Sequence, residues 1–189
     1  MLVGCSSASG TAPDIGDGGF LSATPCVAPC FFGIEPGSTT LSNAQEILVT
    51  AGICPNPENF DSRSEGGTIG FKCGVWITVS GGSQEEAITG LGYSPTEPLT
   101  VGTVVEALGP PDAVATIPSG LPEAQRSVML LFYDRSLTRL LLPEQEGRVY
   151  RLESATLVQR VVYFERNAFQ SFRTGTTPWA GFREYRAGE

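Results

Sequence analysis

Histidine is absent from all 189 residues. That absence removes the commonest general base, the usual nitrogen ligand for a metal and any triad of serine, histidine and aspartate. The chain therefore reads as noncatalytic, with no catalytic residue, metal or cofactor to assign. No apolar run approaches the ~18 residues of a membrane-spanning helix. Positive charge is also scarce over much of the length. Up to Leu121 only Arg63 and Lys72 face twelve acids, leaving that part ten units negative. From Pro122 onward ten arginines meet eight acids, an excess of two, and the regions together make the net charge of −8. So acidic a protein repels a phosphate backbone, which argues against nucleic acid as a partner.

A hydrophobic fraction of 41% with 17% charged residues places the chain among folded globular proteins. Its length supports one sizeable core or two small ones that share an interface. An internal echo favours two units. Within the stretch 26–48, Thr40-Leu41 and Ala44-Gln45-Glu46-Ile47-Leu48 are matched by Thr100-Val101 and Val104-Val105-Glu106-Ala107-Leu108, with Thr, Glu and Leu identical in register.

In the first copy Pro36-Gly37 reads as a turn. Ser38, Thr39 and Thr40 then offer oxygens to the free N–H groups of a helix start, or Ser42 with Gln45 forms a capping box. Leu41, Ala44, Leu48 and Ala51 line one helical face, and Gly52 ends it. Residues 54–67 read as a loop. Thr68 to Lys72 and Val75 to Ser80 read as strands with Trp76 in the core, and Glu85 to Leu91 as a strand or short helix. In the second copy Thr100 caps a two-turn helix that Gly109-Pro110-Pro111 stops. Asp112 to Ile117, Val128 to Tyr133, Arg139 to Leu142, Val149 to Leu152 and Leu157 to Phe164 read as strands. Their short connections imply antiparallel pairing. The expected fold is thus α+β, with two tandem units, each a short helix packed on an antiparallel sheet. Residues 1–19 form a tether, 20–99 the first unit, 100–165 the second and 166–189 a C-terminal segment.

Leu2-Val3-Gly4-Cys5 resembles the lipobox of bacterial lipoproteins, in which small or apolar residues precede a cysteine that becomes lipidated. The resemblance implies lipidation of Cys5, attachment to a membrane through that lipid, and an extracytoplasmic location at the bacterial cell surface or in the periplasm. Only four residues precede Cys5, so the basic and apolar parts of such a signal would lie upstream of Met1. The small, polar, Gly-rich residues from Ser6 to Gly19 suit a flexible tether. A cytoplasmic N-terminus with a stray thiol is the alternative.

A lipid-bearing Cys5 leaves an even set of Cys26, Cys30, Cys54 and Cys73, enough for two disulfides in one of three connectivities. An exported protein meets the oxidising surroundings they need. Zinc is the rival, but eighteen residues separate Cys54 from Cys73, against the roughly two to four of a zinc knuckle. Pairing Cys54 with Cys73 would staple the end of the first helix to a strand, leaving Cys26 and Cys30 to close a small loop.

Gly37-Ser38-Thr39 at one helix start and Leu108-Gly109-Pro110-Pro111 at the other helix end resemble the Gly-x-Thr and Leu-Gly-x-Pro signature of the SmpA/OmlA (BamE-like) small bacterial lipoproteins. Tandem copies are similar to the arrangement of the beta-lactamase inhibitor proteins, which bind a partner across a concave sheet. Both resemblances imply a noncatalytic binding, accessory or scaffold module of the cell envelope whose partner is another envelope protein. A secreted inhibitor or small-ligand-binding protein of the same fold is the alternative, and a hydrolase using Glu35 and Glu46 a third. The chain differs from single-copy envelope lipoproteins in its duplication and its four further cysteines.

The last segment interleaves Phe169, Phe172, Trp179, Phe182 and Tyr185 with arginines, the mixture found at interface hot spots. Packing of these rings on the open face or edge of the sheet is the expectation. Arg173, Trp179 and Arg183 are the residues singled out for partner binding.

Overall fold

The computed structural model describes residues 14–55, 60–61, 67–71, 73–79, 84–119 and 126–186. Cys5 and the lipobox lie outside the described residues. Helix α1 (Leu41–Thr50) starts at Thr40, whose side-chain oxygen accepts the N–H of Asn43, and a second helix, α2 (Val101–Leu108), starts at Thr100, which accepts the N–H of Thr103. Each threonine satisfies one of the N–H groups that a helix start leaves free. Leu41, Ala44 and Leu48 of α1 and Val101 and Val104 of α2 are buried. Gly52 and Gly109, at φ of 70° and 83°, turn the chain away after each helix in a conformation that glycine adopts without strain.

After α1 come strands β1 (Phe60–Asp61), β2 (Thr68–Phe71), β3 (Val75–Val79) and β4 (Ile88–Tyr93). After α2 come β5 (Ala113–Ser119), β6 (Arg126–Tyr133), β7 (Thr138–Leu141), β8 (Gln145–Glu146), β9 (Val149–Arg151) and β10 (Arg160–Phe164). A third helix, α3 (Arg166–Phe172), precedes the short strands β11 (Thr177–Pro178) and β12 (Glu184–Arg186). The main sheet runs β1-β2-β3-β4-β10-β7-β6-β5-β11, with β8 also on β6, while β9 and β12 pair separately. Every one of these pairs is antiparallel. The fold is therefore α+β. The last long strand of each run meets the other at the centre, with Leu91 opposite Tyr163 and Tyr93 opposite Val161.

The same three kinds of bond tie each helix start to the segment that leads into the last long strand of its run. The N–H groups of Leu41 and Ser42 donate to the carbonyls of Glu86 (3.1 Å) and Gln84 (3.0 Å), and that of Ile88 donates back to Thr39 (2.9 Å). Sixty residues on, Val101 and Gly102 donate to Thr156 and Ser154 (both 2.8 Å), and Val158 donates back to Leu99 (2.7 Å).

Strand alternation sends Val75, Ile77, Leu91, Tyr93, Val161, Tyr163, Leu131 and Leu140 to one face, where α1 and α2 complete the main core. The opposite face holds a smaller core in which Phe132, Val162 and Phe164 meet Phe169 of α3.

Several expectations change. The tether does not extend to residues 14–19: Ile15 is only 7% exposed and Phe20 4%. The Tyr93 hydroxyl donates to the Asp17 carbonyl (2.9 Å) and the Thr96 amide to that of Gly16 (3.0 Å). Gly18 is needed there, because a Cβ would collide with the Tyr93 ring at a positive φ of 65°. Two apolar side chains flanking a hydrogen-bonded turn bury enough surface to order this stretch. β1 lies where a loop was expected, the rest of 56–66 being outside the described residues. Pro118 and Ser119 extend β5 instead of leaving it. Trp76 belongs to the face opposite the main core, since its neighbours Val75 and Ile77 take the inward positions. α3 forms where only a packed segment was expected, because the Glu165 carboxylate accepts the N–H groups of Asn167 and Ala168.

Candidate functional site

The face away from α1 and α2 collects side chains that the alternation of five strands places together. By register these include Trp76 of β3, Gly90 and Gly92 of β4, Arg160 and Phe164 of β10, Arg139 of β7 and Phe132 of β6. Arg160 lies opposite Leu141 and Arg139 opposite Val162. The two arginines are thus diagonal neighbours across one strand pair, close enough to interact.

Aromatic rings hold both guanidinium groups. Arg160 reaches across Gly92 to stack its guanidinium 3.7 Å from the centre of the Trp76 ring. Gly92 leaves that path open, since a Cβ there would stand 3.4 Å from Cδ of Arg160. Arg139 sits 4.9 Å from the Phe164 ring and 4.7 Å from that of Phe172. α3 supplies Phe172 and is pinned at three points. Glu165 caps its start, Phe169 packs edge-on against Phe132, and Arg173 at its end forms a two-pronged bond to Asp134 (2.8 and 2.7 Å).

Among the described residues neither Arg139 nor Arg160 has a salt bridge, and Nε of each is buried without a hydrogen-bond partner. Burial, and next to it the charge of Arg160, pushes the Arg139 guanidinium down to about 10. Burial lowers that of Arg160 too. Stacking on an aromatic face recovers part of the lost hydration of a cation and leaves its in-plane N–H groups free to donate to a partner. Such groups suit a carboxylate, which a guanidinium binds in a fork. Beside Arg139 an open cleft of about 760 Å³, lined by Ile117, Leu130 and Phe172, continues the surface over β5 and β6. Phe172 and Ile117 are 49% and 44% exposed.

The residues singled out from sequence do not assemble into one site. Arg173 is occupied by Asp134, whose hydrogen bond raises the pKa of that guanidinium. Trp179 packs on the main core and meets Phe182 and Tyr185 at 5.5 and 6.5 Å. Arg183 lies 5.1 Å from the Tyr185 ring, and its carbonyl accepts the N–H of Leu152. Glu35 and Glu46 are both exposed. Disulfides join Cys26 to Cys30 and Cys54 to Cys73, the pairs preferred above. They leave no thiolate of the four for zinc. Sequence reasoning missed Trp76, Arg139 and Arg160. An arginine alternating with apolar residues inside a strand was the available signal, but which strands lie side by side is not written locally.

Comparison with protein-family models, curated proteins and solved structures finds no match for this chain. The fold and this face together define an α+β protein with one sheet face buried under two helices and the other carrying an aromatic-stacked arginine pair.

Proposed function

We propose that the protein is a noncatalytic binding module of the bacterial cell envelope, anchored through a lipid on Cys5, that docks an acidic segment of another envelope protein onto the face bearing Trp76, Arg139 and Arg160. The unpaired state of the two stacked arginines carries this reading. Both lose hydration without gaining a carboxylate, an arrangement that opposes folding and favours an acidic partner. Aromatic rings beside arginines form the usual energetic centre of a protein interface. The disulfides suit an oxidising, extracytoplasmic compartment. We also infer that the chain is built of two tandem units, since the bonds around Thr40 and Thr100 correspond one for one.

Trp76 provides the readout. In a Trp179→Phe background it is the one remaining tryptophan, and poly-glutamate should change its emission saturably at low salt, although the protein itself carries net charge −8. Arg139→Met with Arg160→Met should weaken that binding by about a hundredfold, roughly tenfold for each charged hydrogen-bonding group lost. Arg139→Met alone should stabilise the free protein by about 1 kcal/mol in denaturant unfolding, because it removes a half-buried charge that has no carboxylate beside it among the described residues. Equal affinity in the double variant would exclude this face as the docking site.

A further inference from the structure

On the other side of the molecule a cleft of about 560 Å³ opens between the loop closed by Cys26 and Cys30 and the end of α2. About half of its wall is apolar: Phe20, Leu21 and Ala28 come from the N-terminal segment, Ala107, Leu108 and Pro110 from the end of α2 and the turn after it, while Asp112, Arg135 and Ser136 supply polar surface. A volume of this size is in the range of small-molecule sites, which combine apolar walls with a few fixed polar groups.

Of the polar side chains on that wall, Tyr133 carries the one group buried without a hydrogen-bond partner. The residue is 6% exposed, lines the cleft, and has its hydroxyl buried with no hydrogen-bond partner. Phe20 holds the ring edge-on at 6.4 Å. An unmet donor in an apolar surround is unfavourable, and native proteins leave few of them. Burial, and then the nearby charge of Asp112, raises the pKa of the phenol and keeps it a neutral donor. Asp112 and Arg135, one acid and one base, both line the cleft and leave it without net charge, which suits a neutral ligand. Leu108, 43% exposed, presents apolar surface at the rim instead of burying it under α2.

We propose that this cleft binds a small, neutral, mostly apolar molecule whose carbonyl or ether oxygen accepts the hydrogen bond of the Tyr133 hydroxyl. The site is separate from the arginine face and stands or falls without it.

Prodan, a neutral naphthyl ketone dye whose emission moves to the blue in apolar surroundings, is a suitable probe. The protein should bind it saturably at one site with a blue shift. Tyr133→Phe should weaken binding about five- to tenfold, the worth of one neutral hydrogen bond. Ala107→Trp, at an exposed helical position that faces the cleft, should abolish it while leaving the circular dichroism spectrum unchanged. Arg139→Met should bind the dye as the parent does, which separates this site from the docking face. Thermal unfolding gives a second reading: Tyr133→Phe should match or exceed the parent in Tm without dye, because it deletes an unsatisfied group. The proposal is overturned by absence of saturable binding, by binding that survives Ala107→Trp, by equal affinity of Tyr133→Phe, or by a lower Tm for Tyr133→Phe, which would mean that a water already satisfies the phenol.

Discussion

Asp17 shows how one side chain converts a Gly-rich stretch into structure. Its carboxylate accepts the N–H groups of Gly19, Leu21 and Ser22 at 2.8–2.9 Å and the Ser22 hydroxyl at 3.1 Å. Burial raises the pKa of the carboxyl, but the hydrogen bonds from Ser22, Leu21 and Gly19 outweigh it and hold the folded value below the ordinary one. A depressed folded pKa contributes stability above the unfolded value of about 3.9, and that contribution is lost as the pH falls through the folded value. Asp17→Asn should therefore lower the Tm by a constant amount between about pH 5 and pH 7, and the gap should close below about pH 4. Melting curves across that range check it. A gap that persists in acid would show that the charge is not what orders the turn. Arg139 and Arg160 present the opposite case, in which a half-buried charge is held by aromatic rings with no carboxylate beside it among the described residues.

Among the elements, the two cross-links do unequal work. Cys54 follows α1 and is fully buried, whereas Cys73 sits in the turn between β2 and β3, nineteen positions away. Closing such a loop restricts the unfolded chain by about 3 kcal/mol, against about 2 kcal/mol for the four-residue separation of Cys26 and Cys30. The double variant Cys54→Ala/Cys73→Ala should accordingly lose more stability in urea than Cys26→Ala/Cys30→Ala. The reverse order would mean that the small loop, which forms one wall of the Tyr133 cleft, is the greater constraint. α3 illustrates the same dependence on context. Its seven residues are too few to hold a helix alone, and it persists through the Glu165 cap, the burial of Phe169 and the Arg173–Asp134 pair. Its position in turn brings Phe172 to Arg139.

For the molecule as a whole, the proposed lipid on Cys5 would set how far the folded body stands from the membrane. Residues 14–20 are docked against Tyr93 and Thr96, so a lipid on Cys5 would hold the folded body within about nine residues of the membrane, a reach of about 30 Å at full extension. Mass spectrometry of the native protein should find Cys5 acylated and N-terminal. An unmodified Met1 in cells would remove the anchor and leave a free protein. The arrangement of the sheet bears on the docking face: β4 and β10 join the two strand runs into one surface, and Arg160 of β10 reaches across Gly92 of β4 to Trp76 of β3. The proposed site therefore spans the seam between the two runs.

Local patterns were sufficient for much of this architecture. Thr40 and Thr100 are recognisable as caps because a helix start must satisfy its own N–H groups, and the glycines after each helix mark its end for equally local reasons. Alternation located β2, β3, β6, β7 and β10 to within a few residues, since one face of each had to be apolar. The Glu165 cap of α3 is a local signal, but seven residues need more than a cap, and the rest of the helix's support comes from Asp134 and Phe132, far away in the chain. The arginine face was illegible for the same reason. Arg139 and Arg160 are twenty-one positions apart, and Trp76 is farther still. Strand register alone sets them side by side, and register is decided by which faces the whole sheet can bury.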